Sequence, residues 1–256
     1  MKSLSHDRLA VALVTEADLF GAVIAGADPD VRVPTCPEWT LRDLTRHVGV
    51  AYHKSAAIIA SRPTGYVPFE AVTIDEPPAF ETLGAWLRDG AERLVAAVTE
   101  VGPETPTSTW TPDRRAGFWT RRLTHETVVH RADATFATGA PYDVDADLAA
   151  DGIAEGLDLV AVFSRLQHPA LDRTPLRGTG ETLLFHATDP EAGWLARRTP
   201  SGVEVSEETG DADVVVEGRA VDLLLALTAR IAADDPRLTV SGDAALFTHW
   251  LEHTRF

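Results

Sequence analysis

The sequence predicts an α+β fold in two parts, a helix bundle over residues 1–168 and a smaller α+β domain over 169–256. Three observations carry this. Apolar residues recur at three-to-four spacing through the first two thirds of the 256-residue chain. Beyond residue 168 that period gives way to short runs, TLLFHAT, GWLARRT, GVEVSE and DVVVEG, each bounded by Gly, Pro or Asp as strands are. Between the two lies HPALDRTPLRGTGE, rich in the residues that punctuate linkers.

The elements follow in order. Residues 4–26 place Leu9, Leu13, Ala17, Phe20 and Ile24 on one helical face. VPTCPEW (33–39) reads as a proline-punctuated loop. Thr40 opens a second helix that runs to about residue 60. Thr40 and Asp43 resemble a capping box, and Trp39 is placed to close over Leu44 as a hydrophobic staple. Residues 61–79 carry four prolines and form a long connection. A third helix, FETLGAWLRDGAERLVAAVTEV, precedes a polar loop at 102–116. A fourth spans about Phe118 to Thr138, and after GAPYDVD a fifth begins at Ala146. In the second part an apolar helix, RAVDLLLALTARIAA, follows the strands. A short run, RLTVSG, and a last helix, AALFTHWLEHTRF, finish the chain.

Composition narrows the function. With 45% apolar and 24% charged residues the chain has an ordinary globular make-up. A formal net charge of -16 argues against nucleic acid and anionic membrane surfaces as partners, since both demand basic surface. The one cysteine, Cys36, allows no internal disulfide, which fits a cytoplasmic location. The first residues do not read as a signal peptide, because Asp7, Arg8, Glu16 and Asp18 interrupt the apolar positions. No stretch reaches the length of a membrane span. Oligomeric state is not legible.

The chemistry sits on the fourth helix. Trp119, Leu123, Glu126, His130, Asp133 and Ala137 follow the spacing of a core-facing stripe, so three consecutive stripe positions are ionisable. A buried carboxylate is expensive unless paired or bound to a metal. On the second helix His47 lies one turn after Leu44, at the edge of the buried face, where it can meet Glu126 and His130. Two histidines and one carboxylate suit zinc and leave a coordination position open. The same donors also suit Ni(II), Fe(II) or Mn(II). Asp133 is then expected to orient a ligand or pair with an arginine. Against this stands the plain reading, that a glutamate and a histidine four apart form an ordinary helix-surface pair. A second pair, His249 and His253, is explained by the helix C-terminal dipole without a metal. Cys36 reads as a small residue packed in a rigid turn.

VPTCPEWTLRDLTRHVG, THETVVHRADATFATG and GRAVDLLLALTARIAADDPRLTVSGDAALFTHWL together resemble three blocks of the mycothiol-dependent maleylpyruvate isomerase family, in order and over nearly the whole chain. The resemblance implies a DinB-like four-helix bundle of up-down-down-up type with an added helix, and a sterol-carrier-like C-terminal domain. It implies a divalent metal, usually zinc, on His47, Glu126 and His130, with mycothiol as thiol cosubstrate. It implies that Arg230 brings a cationic group to catalysis, although the family's tryptophan-glycine before that arginine is Thr228-Ala229 here. The expected partners are thus a low-molecular-weight thiol and a small electrophile, in a transferase or a maleylpyruvate-type cis-trans isomerase. Two other readings stay open. A water in the open position would make a hydrolase or lyase. A metal that only holds the bundle together would make a binding or regulatory module.

Overall fold

The computed structural model describes residues 3–166 and 173–254. They form two compact units. One takes in residues 5–142, and the other takes in residues 3–4 together with the chain from residue 143 onward. The expected boundary at 168/169 lies outside the described residues.

The first unit is a four-helix bundle of α1 (His6–Ile24), α2 (Leu41–Ala60), α3 (Leu83–Val101) and α4 (Gly117–Thr138). Packing runs α1 against α3 and α4, and α2 against α3 and α4. The core includes Leu13, Phe20, Leu44, Val48, Tyr52, Leu87 and Leu94, all fully buried. At Gly21 and Gly84 the backbones of α1 and α3 touch: a Cβ on Gly84 would lie 3.2 Å from the Gly21 Cα. Thr40 and Asp43 make the expected capping box on α2, each side chain bonded to the other's backbone N–H. Replacing Thr40 by Ala is expected to cost about 1 kcal/mol of stability, read by chemical denaturation.

The loop expected at 33–39 is instead a short hairpin. β1 (Arg32–Val33) pairs antiparallel with β2 (Cys36–Thr40). Two prolines normally argue against strand, but this two-stranded ribbon is all edge, where a missing N–H costs little. The ribbon is pinned at both ends. Val33 is fully buried, and the Leu41 and Arg42 amides donate to the Val31 and Pro29 carbonyls at 2.9 and 3.0 Å.

α4 departs from the expected single stripe. Its buried residues include Thr124, His125, Thr127, Arg131 and Thr135 as well as Leu123, His130 and Asp133. It is covered by α1 on one side and α2 on the other. Thr124, Thr127 and Thr135 satisfy their hydroxyls by bonding back to the helix, Thr124 to the Thr120 carbonyl at 2.7 Å. A left-handed Gly139, φ 72°, ends it.

The second unit holds α5 (Ala146–Arg165), a five-stranded sheet of order β5-β4-β3-β6-β7, and helices α6 (Ala220–Leu227) and α7 (Ala244–Thr254). The strands are β3 (Thr182–Thr188), β4 (Glu191–Thr199), β5 (Gly202–Glu207), β6 (Val214–Gly218) and β7 (Thr239–Gly242). The β3–β6 pair is parallel and the others antiparallel. Phe185 on β3 packs against Phe247 and Trp250 of α7, with ring centroids 6.3 and 5.8 Å away.

Two expectations are corrected here. The fifth helix, counted with the bundle, belongs to the sheet unit. α5 packs on α6 and β5, and the Val203 amide donates to Ser164 Oγ at 2.8 Å. Periodicity shows that a helix buries a face, not what it buries that face against. The apolar helix at 219–233 stops at Leu227. Ala229 turns left-handed, φ 60°, and the Arg230 amide reaches back to the Leu225 carbonyl at 2.7 Å. The helix-ending residue is Ala rather than Gly or Asn, so nothing in the sequence marks the stop. No helix of the described residues is long and apolar enough to cross a membrane.

Candidate metal centre

α2 and α4 bring His47, Glu126 and His130 together. One ligand atom from each lies within 4.8 Å of the others, and among the described residues no other group of three metal-ligating side chains does this. The contact is organised around one oxygen. Glu126 Oε1 lies 3.2 Å from His47 Nε2 and 3.1 Å from His130 Nε2. The two imidazoles meet edge to face at 5.2 Å. Exposure falls across the set, from 41% at the His47 side chain through 26% at Glu126 to 11% at His130. The cluster is therefore open on the His47 side and closed behind His130.

A surrounding layer fixes each donor. Arg122 donates from Nη2 to Glu126 Oε2 at 3.0 Å, one turn away on α4, which leaves Oε1 for the two histidines. His130 Nδ1 lies 2.8 Å from Oδ2 of Asp133, which is fully buried. The β1–β2 hairpin completes the layer. Thr35 donates to Asp133 Oδ1 at 2.5 Å, and Cys36 Sγ sits 3.9 Å from Oδ2. The Trp39 ring lies 4.7 Å from that of His47 and 6.0 Å from that of His130. Arg122 and Thr35 were not singled out in the sequence, and Trp39 was read only as a staple over Leu44. An arginine four before the glutamate was a visible signal for the first; for the hairpin residues there was none, because their approach to α4 is tertiary.

The electrostatics suit a cation at this point. Burial alone would raise the Glu126 pKa. Hydrogen bonds from His130 and His47 and the charge of Arg122 outweigh it and hold the carboxyl well below its ordinary 4.5. Burial alone would lower His130, but hydrogen bonds to Asp133 and Glu126 lift it from 6.5 to about 9. Without a metal, His130 must carry a proton on each nitrogen to serve both carboxylates. A divalent ion held by His47, Glu126 and His130 would take over that positive charge. The donor set therefore fits such an ion: two borderline nitrogens and one hard oxygen at one point, with a carboxylate behind one histidine.

The His130 contribution to the metal-free protein is fully present below pH 6.5 and is lost as pH climbs through about 9. The Glu126 contribution is present above pH 4.5 and is lost as pH falls through its depressed value. Both contributions to metal-free stability are thus expected to be present together between about pH 4.5 and 6.5. Because a bound ion requires His130 Nε2 to be deprotonated, zinc affinity is expected to rise by about tenfold per pH unit toward pH 9. Calorimetric zinc titrations in buffers of different ionisation heat count the released proton.

Arg230 is in the second unit, in the turn after α6, with Nη1 donating to the Thr228 carbonyl at 2.6 Å. The His249 and His253 rings lie tilted to each other on α7 with centroids 4.5 Å apart, and His249 Nε2 bonds the Pro175 carbonyl at 2.8 Å. His53 stacks on Trp86 at 4.6 Å.

Two domain families match the sequence. Residues 10–135 match the mycothiol maleylpyruvate isomerase N-terminal domain, and residues 147–249 match the C-terminal domain of the same family. No curated protein matches the chain. Among solved structures, the mycothiol-dependent maleylpyruvate isomerase superposes with a TM-score of 0.58 at 16% identity, covering 94% of this chain and 96% of that one. Its histidine-to-alanine mutant gives the same score and coverage at 15% identity. The UbiJ-SCP2 ubiquinone synthesis protein aligns with 40% of this chain and 90% of its own, at 23% identity and a TM-score of 0.33.

Proposed function

Because the chain belongs to the mycothiol-dependent maleylpyruvate isomerase family, we propose that it is a metal-dependent enzyme that uses mycothiol against a small electrophile. The observation that carries this reading is the meeting of His47, Glu126 and His130 at one solvent-facing point. Zinc is the ion the set suits, since two nitrogens and one oxygen leave a fourth tetrahedral position. When bound, it supplies a Lewis-acid position at which a thiol loses its proton near neutral pH.

The residues around that position have separable tasks. Glu126 supplies the negative charge, and Arg122 occupies its other oxygen. Asp133 accepts the His130 Nδ1 proton and so keeps the Nε2 lone pair on the site side of the ring. His47, the most exposed donor, marks the side from which thiol and electrophile arrive. Trp39 walls the imidazoles against water on its face.

An activated thiol adds to an electrophilic alkene carbon, forming one S–C bond as one π bond breaks. If the adduct rotates and the S–C bond breaks again, the thiol is returned beside an isomerised product. If the adduct persists, the thiol is consumed in a transfer. Zinc-loaded protein incubated with mycothiol and maleylpyruvate tests the reading. Thiol-dependent turnover supports it, and recovered or consumed thiol assigns isomerisation or transfer. Turnover indifferent to thiol would instead mean hydrolysis or lysis. A thermal shift on chelation without turnover of any thiol–electrophile pair would mean a metal-stabilised binding module.

A further inference from the structure

The hairpin β1–β2 supplies no ligand, yet Thr35, Cys36 and Trp39 all touch the layer behind the histidines. We propose, on the metal reading above, that Thr35 is a positioning residue for the metal centre and acts through Asp133. A carboxylate with no solvent exposure depends on its donors for both stability and orientation. Asp133 has one oxygen held by the Thr35 hydroxyl at 2.5 Å and the other on His130 Nδ1 at 2.8 Å. With both oxygens engaged the carboxylate plane is set. The plane of the His130 ring follows, and with it the direction of Nε2.

The hairpin is built to hold that hydroxyl still. Pro34 and Thr35 form the connection between strands whose register places Val33 opposite Cys36. Val33 anchors the near end in the core, and the Thr40–Asp43 capping box ties the far end to α2, the helix that carries His47. Pro34 and Pro37 restrict the backbone on either side. The same ribbon lays Trp39 along both imidazoles. One local element therefore references His47 and His130 to each other, although the two lie 83 positions apart in the chain.

Thr35 could instead serve only to dock the hairpin on α4, and the test separates the roles. Thr35→Val keeps the shape and removes the hydroxyl; Thr35→Ser keeps the hydroxyl. Both are compared with the full-length parent for zinc affinity, by competition with a chromophoric chelator, and for the visible absorption of the cobalt-substituted site. Thr35→Val is expected to bind zinc about tenfold more weakly, the low end for loss of an outer-shell partner, and to alter the cobalt bands. Thr35→Ser is expected to restore both. Parental affinity and spectrum in Thr35→Val would overturn the proposal, as would failure of the Ser variant to restore them. A parent that takes up neither zinc nor cobalt would remove the metal reading itself, a result distinct from either of these.

Discussion

Replacing Glu126 by Ala is expected to abolish stoichiometric metal binding and thiol-dependent turnover together. Among the described residues its Oε1 is the atom within hydrogen-bond reach of both histidines, and its charge is the one formal negative charge among the three proposed ligands. Removing it leaves two imidazoles without the anion that orders them, beside an Arg122 that has lost that partner oxygen and adds repulsion toward a cation. His130→Ala and His47→Ala are expected to follow the same course, because each takes away one of the three proposed ligands. The loss of affinity should exceed the roughly 10–100-fold typical of an outer-shell partner. Metal content after dialysis checks it. Far-ultraviolet circular dichroism of each metal-free variant separates loss of the site from loss of the fold; His130→Ala is expected to lose the most stability of the three, because it takes a partner from the fully buried Asp133.

The second large effect lies behind the site. Arg131, next to His130, faces the other way and donates from Nε to Glu16 of α1 at 2.6 Å; both side chains are almost wholly buried. The Arg131 guanidinium also lies 4.6 Å over the ring of Tyr142. Removing one residue of such a pair takes a charge-assisted hydrogen bond from the other inside the core, whereas removing both leaves no such imbalance between the two. Arg131→Met or Glu16→Leu alone is expected to cost about 3–5 kcal/mol in denaturant unfolding. The double replacement is expected to recover most of that loss. Additive losses in the double variant would show that the two charges do not act as a pair.

How far these features could be read from the sequence depends on where their cause lies. The bounds of α2 were legible because its start is local chemistry, a threonine and an aspartate three apart. The strands at 182–188 and 202–207 were legible because turn residues bracket them. His47 could be grouped with Glu126 and His130 because helical spacing fixes direction within each element, and two directions sufficed to suggest a meeting point. Tertiary causes were not legible. The hairpin was hidden by its prolines, and the end of α6 by an alanine in a left-handed turn. The burial of α4 on several sides was hidden because threonines that bond to their own helix look like surface residues in a sequence. Thr35 and Trp39 belong to the site only through packing against it, whereas Arg122 carries a local signal, four before Glu126 on the same helix.

Cobalt substitution followed by mycothiol titration tests the central claim most directly, because it asks at once whether the three residues hold a metal and whether that metal keeps a position for sulfur. The account predicts about one metal per chain and new near-ultraviolet absorption from a sulfur–cobalt bond as mycothiol is added, both lost in Glu126→Ala. Stoichiometric cobalt whose spectrum is indifferent to mycothiol, or a parent protein that binds no metal, would contradict it.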